Sequence, residues 1–500
     1  MLAITGVEIC CIEGDTIIID PPKIARIGYE SSLWHDLGGV RRVSVDGGYL
    51  IPGLHDSHTH LAFSSAVSAD LRFVRDVGEL VAVMRRHMER VRRLGYPYVV
   101  GRGWDHEIFP SRAMPTIEDM DRVSTEHPVI AVRVCGHLAV VNTVMLERIR
   151  EWGLERKYPQ YIIREDGRPT GVIVEELLWE VIGRLPPPPM NFLINYTIRY
   201  LREYASYGVT HLNIVSVEER HVPVLEEALT KVPLVIGLYP HQRAYETVKS
   251  RARKAVVCGI KMYADGSLGA ETAYLREPFL SGKNGEMLIS RSNIVNALEL
   301  MGGEGQLAIH AIGDAAIHNV IKLVKSLGVS PQRVRIEHAS LTPPEVLKEI
   351  TSYRPHVVVQ PHFIISDWWA DRKLGKERAR HLYALRSLYS ATKVYGSSDY
   401  PVEPKNPLLG IYSAVLRPGI GSLSPGEALS VDEAFAIYSR DPCMGETVLM
   451  EGARADITVL SGNPRKMSPH DIPSIRSLAT FVGGSPVYVD ESFVSGLSTS

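Results

Sequence analysis

The sequence predicts an α/β protein built around a TIM-type (β/α)8 barrel, with β-rich chain ends and a long insertion. Seven apolar, β-branched runs recur every few tens of residues from Val209 onward. An eighth runs from Tyr49 toward His60, and short β segments gather at both ends of the chain. At 500 residues the chain exceeds a single barrel of about 250 residues, so two or three units are expected.

Residues 1 to about 52 read as β segments at Ala3 to Ile12, Thr16 to Asp20, Lys23 to Tyr29 and Val40 to Val45, separated by turns such as Glu13-Gly14-Asp15. From His60 to Val209 lie about 150 residues, several times what one βα unit of about 30 residues needs, so an insertion occupies the first crossover. Within it Leu80 to Leu94 reads as a helix and Val129 to Val134 as a strand. The run Pro186-Pro187-Pro188-Pro189 closes it, because consecutive prolines resist both helix and central strand. Loops after barrel strands sit on the catalytic face, which marks the insertion as a lid or substrate wall. The seven later strands are Val209 to Val215, Pro233 to Tyr239, Gly259 to Ala264, Gln306 to Ala311, Val334 to His338, Val357 to Gln360 and Lys393 to Gly396. Helix-compatible stretches such as Ala315 to Leu327 and Pro344 to Thr351 separate them, as a parallel sheet requires. After a helical pattern at Ser430 to Ser439, Ala455 to Leu460 and Ser485 to Val489 return to β character, so the two ends are expected to pair.

Composition excludes several function classes. Lys plus Arg (55) nearly cancel Asp plus Glu (57), so no basic footprint for nucleic acid is present. No apolar run approaches the roughly 18 residues of a membrane span, and the start lacks a leader pattern, so a cytoplasmic setting is expected. Cys10, Cys11, Cys135, Cys258 and Cys443 are few, odd in number and scattered, which predicts reduced core thiols rather than a disulfide framework.

Chemistry-bearing residues gather at strand ends. In Pro52-Gly53-Leu54-His55-Asp56-Ser57-His58-Thr59-His60, strand parity lets His58 and His60 face one point while His55 faces away. Such a pair is either a chelate or two structural histidines, and its company decides. Lys261, His310, His338 and Asp399 follow at later strand ends, in strand order. A lysine in a buried strand is costly unless a carboxylate pairs it or carbon dioxide carbamylates it into an anionic oxygen ligand.

The segments PGLHDSHTH, GIKMYADGSLGAETA, LAIHAIGDAAIH, VRIEHAS, VVVQPHFIISDWW and GSSDYPVEPKNPLLGIYSAV together resemble the amidohydrolase superfamily of metal-dependent hydrolases, and within it amidohydrolase family 3. The resemblance covers nearly the whole chain. It implies a composite β-sandwich from residues 1–52 and 445–500, a metal-binding barrel from 53–65 and 190–444, and an inserted lid or substrate domain at 66–189. It further implies two divalent ions, zinc by preference, with His58 and His60 on the first, carbamylated Lys261 bridging, and His310 and His338 on the second. Asp399 would touch the first metal and act as the catalytic base, while a metal-activated hydroxide attacks a C–N bond of an amide, cyclic amide or N-acyl compound. A one-metal deaminase and a catalytically silent binding barrel are the alternatives.

Asp56 shares parity with both ligands and is expected to orient one imidazole. His362 is a candidate for holding the substrate or its oxyanion, against a structural role, and Trp104 and His137 are candidates for lining the substrate cavity, against packing the insertion. His87, His127 and His381 read as surface residues, and Glu175 and Glu176 as a solvated pair. One departure from the family pattern is a shortened turn at 446–454 before Ala455-Asp456. The expected partner is a small-molecule substrate, with no nucleic acid and no membrane; oligomeric state is open.

Overall fold

A computed structural model of the chain describes residues 1–61, 63, 67–134, 136, 138–495 and 497–498. It divides into two compact units, one comprising Met1–Leu61 with Thr197–Ser500 and the other Ala62–Tyr196.

The first unit carries eight parallel strands: β1 (Leu54–Thr59), β2 (Val209–Val217), β3 (Val235–Pro240), β4 (Gly259–Tyr263), β5 (Gln306–Ala311), β6 (Val334–His338), β7 (His356–Val359) and β8 (Val394–Gly396). β1, β2 and β3 form one sheet, joined by the short strand Val256–Val257, and β4 to β8 form a second in sequence order. Nearly all their residues are buried, as expected of parallel strands covered on both faces. The sheets meet at both edges. His241 and Lys261 make a parallel bridge beside β3 and β4, and beyond β8 the Asp399 amide donates to the His58 carbonyl at 2.8 Å and the His60 amide to the Tyr400 carbonyl at 2.8 Å. Helices Asp314–Ser326 and Pro344–Tyr353 follow β5 and β6 and bury one apolar face each, the second starting on a proline whose missing N–H costs nothing there.

Both chain ends build two five-stranded sheets. One orders Leu497–Ser498, Arg41–Ser44, Leu2–Thr5, Thr16–Asp20 and Lys23–Gly28; the other orders Glu8–Ile9, Tyr49–Pro52, Ile457–Leu460, Ser477–Val482 and Ser485–Val489. Ile4, Ile17 and Val43 from the first share a core with Leu50, Val459 and Phe481 from the second. The segment read as one strand from Ala3 to Ile12 is thus two, serving different sheets, with Gly6 between them at φ +70°. At Gly53 the chain passes into β1, and a Cβ there would lie 2.3 Å from Thr210 Oγ1, so only glycine fits. The shortened turn at 446–454 is pinned to the edge strand Lys23–Gly28: Ile24 N donates to Ala453 O and Gly452 N to Ile24 O, both at 2.8 Å.

The second unit is a six-stranded mixed sheet in the order Ile162–Glu165, Arg168–Val174, Leu138–Val141, Val129–Arg133, Val99–Trp104, Ser68–Asp70. Helix Val77–Arg93, capped by Asp76 accepting from the Glu79 amide at 2.7 Å, lays Leu80, Met84 and Val91 into its core. His87 lies on that same buried face and bonds the Val67 carbonyl at 2.8 Å, so it is not a surface residue; helical spacing from Leu80 and Met84 carries it inward.

The cysteine expectation is also corrected. Cys258 and Cys443 form a disulfide across 185 residues, with Cα atoms 5.8 Å apart. Spacing along the chain gave no sign of it, because tertiary folding alone brings the end of one loop to the start of β4. Disulfides are rare in a reducing cytosol, so this bond counts against the cytoplasmic expectation. Among the described residues no helix is long and apolar enough to cross a membrane.

Candidate metal centre

His58, near the end of β1, is fully buried, and its Nδ1 meets the Glu337 carboxylate of β6 across the strands. A carboxylate can only accept, so Nδ1 carries the proton and Nε2 is left with its lone pair. His338 is set the same way: its Nδ1 donates to Gln360 Oε1 at 2.7 Å, leaving Nε2 free. The two Nε2-bearing rings are 5.0 Å apart, centroid to centroid, and His58, His338 and Asp399 offer ligand atoms that all lie within 4.8 Å of one another. Asp399 Oδ1 is 3.4 Å from His58 Nε2 and 3.0 Å from His60 Nε2.

Burial keeps the His58, His310 and His338 rings neutral, the form that binds metals. It drives His58 far below the usual imidazole range, aided by the Lys261 charge, drives His310 far down, and pulls His338 down to about 3. Asp399 moves the other way: burial favours its neutral form, but His58, His60 and Lys261 outweigh this and hold it below the ordinary carboxylate range.

His310, on β5, packs its ring 4.5 Å from that of His338 and bonds Gly266 O through Nε2 at 2.8 Å, which leaves Nδ1 with the lone pair. The turn after Lys261 therefore aims His310, while Asp265 within it accepts from the amides of Tyr274, Ile312 and Gly313 at 2.8 to 3.0 Å. The Lys261 side chain is buried on β4 with no hydrogen bond or ion pair to the side chain of another described residue, its Nζ 5.1 Å from the Tyr263 ring centroid. Burial, only partly opposed by Glu337 and Asp399, lowers its pKa from 10.5 to about 8. It lines a cavity of about 420 Å³ with His241, Arg243, Tyr263 and Asn293.

The donor set fits a divalent cation: neutral imidazoles with their lone pairs exposed, an ionised carboxylate, and ligand backbones held in place. His338 and Asp399 sit at φ +74° and +57°, left-handed values that cost about 1 to 3 kcal/mol each in residues other than glycine and recur at functional sites. The observed cluster brings His58, His338 and Asp399 to one point, with His60 on Asp399 and His310 against His338.

Other expected residues lie elsewhere. Asp56 does not touch an imidazole; it accepts from the backbone amides of His58 and Ser398 and from the Ser398 hydroxyl, because its side chain lies one pleat below the ring. His55 faces away and stacks on His211 at 4.2 Å. His362 bonds the Asn406 carbonyl through Nε2 at 2.9 Å and lies against Gly410, buried, not in the cluster. Trp104 is fully buried in the core of the second unit and its indole N–H donates to Ala131 O at 2.9 Å. His137 lies outside the described residues.

Glu337, Arg335 and Gln360 escaped sequence reasoning. Arg335 ion-pairs with Glu337, bonds the Ser57 carbonyl and lies over the Tyr239 ring at 4.4 Å, all without solvent contact. The signal was present in Val334-Arg335-Ile336-Glu337-His338: two charges at i and i+2 of a strand otherwise apolar share a face, and a buried strand keeps such charges only if they pair.

The sequence pattern of a family described as the amidohydrolase family matches residues 43–488. The putative amidohydrolase YtcJ of Bacillus subtilis is 28% identical over 520 residues, covering 95% of this chain and 97% of its own. Among solved structures, an uncharacterized metal-dependent hydrolase from Pyrococcus furiosus aligns with TM-score 0.75 and 27% identity over 93% of this chain and 100% of that one. A second, from Pyrococcus horikoshii, aligns with TM-score 0.78 and 25% identity over 94% and 99%.

Proposed function

This chain belongs to the amidohydrolase family, and from that premise we propose a metal-dependent hydrolase that cleaves a C–N bond, other than a peptide bond, in an amide, cyclic amide or N-acyl compound. The observation that carries the proposal is the pair of imidazoles, His58 and His338, both locked by Nδ1 acceptors that leave the lone pair on Nε2, with ligand atoms of the two rings and of Asp399 within 4.8 Å of one another. The fold reading is a closed (β/α)8 barrel, supported by eight parallel strands in order and by the two edge contacts at His241–Lys261 and His58–Asp399. The chain ends then form a composite sandwich.

His58, His60, His310, His338, Asp399 and carbamylated Lys261 are the residues that would hold two divalent ions, preferably zinc. A bound divalent cation supplies Lewis acidity, polarising the substrate carbonyl and acidifying a water. The chain's own residues do the rest. Asp399, ionised despite burial, receives the water's proton at its carboxylate and returns it to the departing amine. Glu337 and Gln360 hold the two Nδ1 protons, so neither ring can turn its lone pair away. Lys261 with a pKa near 8 is partly neutral at physiological pH, and the neutral amine is the form that adds to carbon dioxide and releases a proton to become a carbamate.

One observation favours a second reading. Among the described residues a single cluster of three ligand atoms is found, which suits a one-metal site, as in a deaminase. Metal analysis of the purified wild-type protein and of Lys261→Ala separates the two, together with turnover against amides, hydantoins, N-acyl amino acids and esters. The two-metal reading expects two ions per chain in wild type and loss of tight binding and turnover in Lys261→Ala. A Lys261→Ala protein with two ions and full activity would sink it, one ion with ammonia release supports the deaminase, and a metal-loaded protein inert across the panel supports a binding role.

A further inference from the structure

Away from the barrel, the adjacent residues Cys10 and Cys11 follow the short strand Glu8–Ile9 and place their sulfurs 3.2 Å apart. Cys11 is exposed, Cys10 half-buried, and neither joins the disulfide. Cys11 adopts a left-handed φ of +63°. A guanidinium nitrogen of Arg465, more than 450 residues away in sequence, donates to Cys11 Sγ at 3.0 Å. Arg465 is itself held from the other side by Asp432, whose carboxylate accepts from Nε at 2.5 Å. The cation is thus fixed against one of the two sulfurs rather than free to swing away.

We propose that Cys11 is a reactive thiolate and a modification site for low-molecular-weight disulfides, with Arg465 as its positioning cation and Cys10 as the neighbouring S–H donor. The chemistry follows from the arrangement. A thiolate is the nucleophile in disulfide exchange, and a fixed guanidinium favours it over the thiol. The Arg465 contact lowers the Cys11 pKa, whereas burial raises that of Cys10, so of the two thiols the exposed one loses its proton first and the inner one keeps it. Cys11 Sγ attacks one sulfur of the disulfide and a new S–S bond forms. The old S–S bond breaks, and its electron pair leaves on the second sulfur as a thiolate that water protonates; Cys11 is oxidised and the departing sulfur reduced.

The adduct is expected to persist instead of closing onto Cys10. Neighbouring Cα atoms lie about 3.8 Å apart across a trans peptide, closer than the roughly 4.4 to 6.8 Å that ordinary disulfides span. Capping Cys11 also removes the acceptor that Arg465 now uses between residue 11 and the helix Val431–Ile437, which starts beside Asp432.

The test exposes the full-length protein to oxidised glutathione and maps adducts by mass spectrometry. The tryptic peptide Met1–Lys23 carries Cys10 and Cys11 alone, apart from Cys135, Cys258 and Cys443. A glutathionyl adduct on Cys11 is expected in wild type and in Cys10→Ser, and none on this peptide in Cys11→Ser. In Arg465→Gln the pH at which modification becomes fast should rise, with Arg465→Lys restoring it. Each tenfold loss of thiolate slows the reaction at pH 7 by only roughly three- to fourfold, because a more basic thiolate is a better nucleophile. Circular dichroism shows that each variant is folded. An adduct on Cys10, an adduct in Cys11→Ser, or an unchanged pH profile in folded Arg465→Gln would overturn the proposal.

Discussion

Replacing Glu337 with glutamine removes a buried carboxylate that serves two partners, His58 Nδ1 and the Arg335 guanidinium, neither of which has solvent contact. A glutamine carbonyl can satisfy one of them, while its NH2 faces a donor. Arg335 keeps only Asp441 at 3.9 Å as a counter-charge. Leaving one member of a buried pair exposed to the interior costs about 3 to 5 kcal/mol, and the Asp441 contact puts this variant toward the lower figure. A separate loss falls on the metal. Where the glutamine carbonyl turns to Arg335, His58 Nδ1 loses its acceptor and the ring is no longer held to the tautomer that bares Nε2, and changes of this kind typically weaken metal binding 10- to 100-fold. That factor corresponds to about 1.4 to 2.7 kcal/mol.

Two assays keep the losses apart. Denaturant unfolding of metal-free protein reads the first, and competition for zinc against a chelator reads the second. In the double variant Arg335→Met with Glu337→Met the lone buried charge is gone and His58 Nδ1 still lacks an acceptor, so stability should recover while zinc affinity stays low. A double variant that binds zinc as tightly as wild type would refute the assignment of Glu337 to His58.

Lys261→Met in metal-free protein should raise stability at pH 7. The lysine's pKa falls from 10.5 to about 8 on folding, a penalty of roughly 3 kcal/mol. Between those values the unfolded chain holds a proton that the folded chain lacks, so stability rises with pH through that window; the gain from Met should therefore vanish by about pH 10.5, and a pH-independent gain would contradict the buried-amine account. Reducing the Cys258–Cys443 disulfide, or a Cys443→Ser change, should cost up to about 5 kcal/mol on the chain-entropy account for so long a loop; an unmoved denaturation midpoint under reductant would show that the bond contributes nothing. Trp104→Ala should destabilise the inserted unit by about 3 to 5 kcal/mol, read as early protease sensitivity of residues 62–196; a changed KM with a stable insertion would instead return Trp104 to the substrate cavity.

Strand interiors were legible because parity and apolar runs are local properties. Gln306–Ala311 and Val334–His338 fall where the residues predict them, and the alternation that separates His58 from His55 holds in β1. Legibility stops where the chain leaves the pleat. Glu337 points inward to His58, so a regular strand would turn His338 outward; the left-handed φ at His338, continued at Ala339, re-aims the ring into the same cluster. Asp399 is delivered in the same way from the turn after β8. The acceptors that fix the imidazoles, Glu337 of β6 for His58 and Gln360 just after β7 for His338, come from other parts of the chain, and the Cys258–Cys443 bond and the Arg465–Cys11 contact join segments far apart in sequence. No periodicity encodes such pairings. What the sequence does carry is their cost: a buried strand bearing Arg335 and Glu337, or an unpaired Lys261, is unfavourable unless a partner or a ligand compensates it. Charges out of place in an apolar strand are thus the local trace of a distant contact, and Arg335 with Glu337 marks the support for His58 as plainly as the histidines mark the ligands.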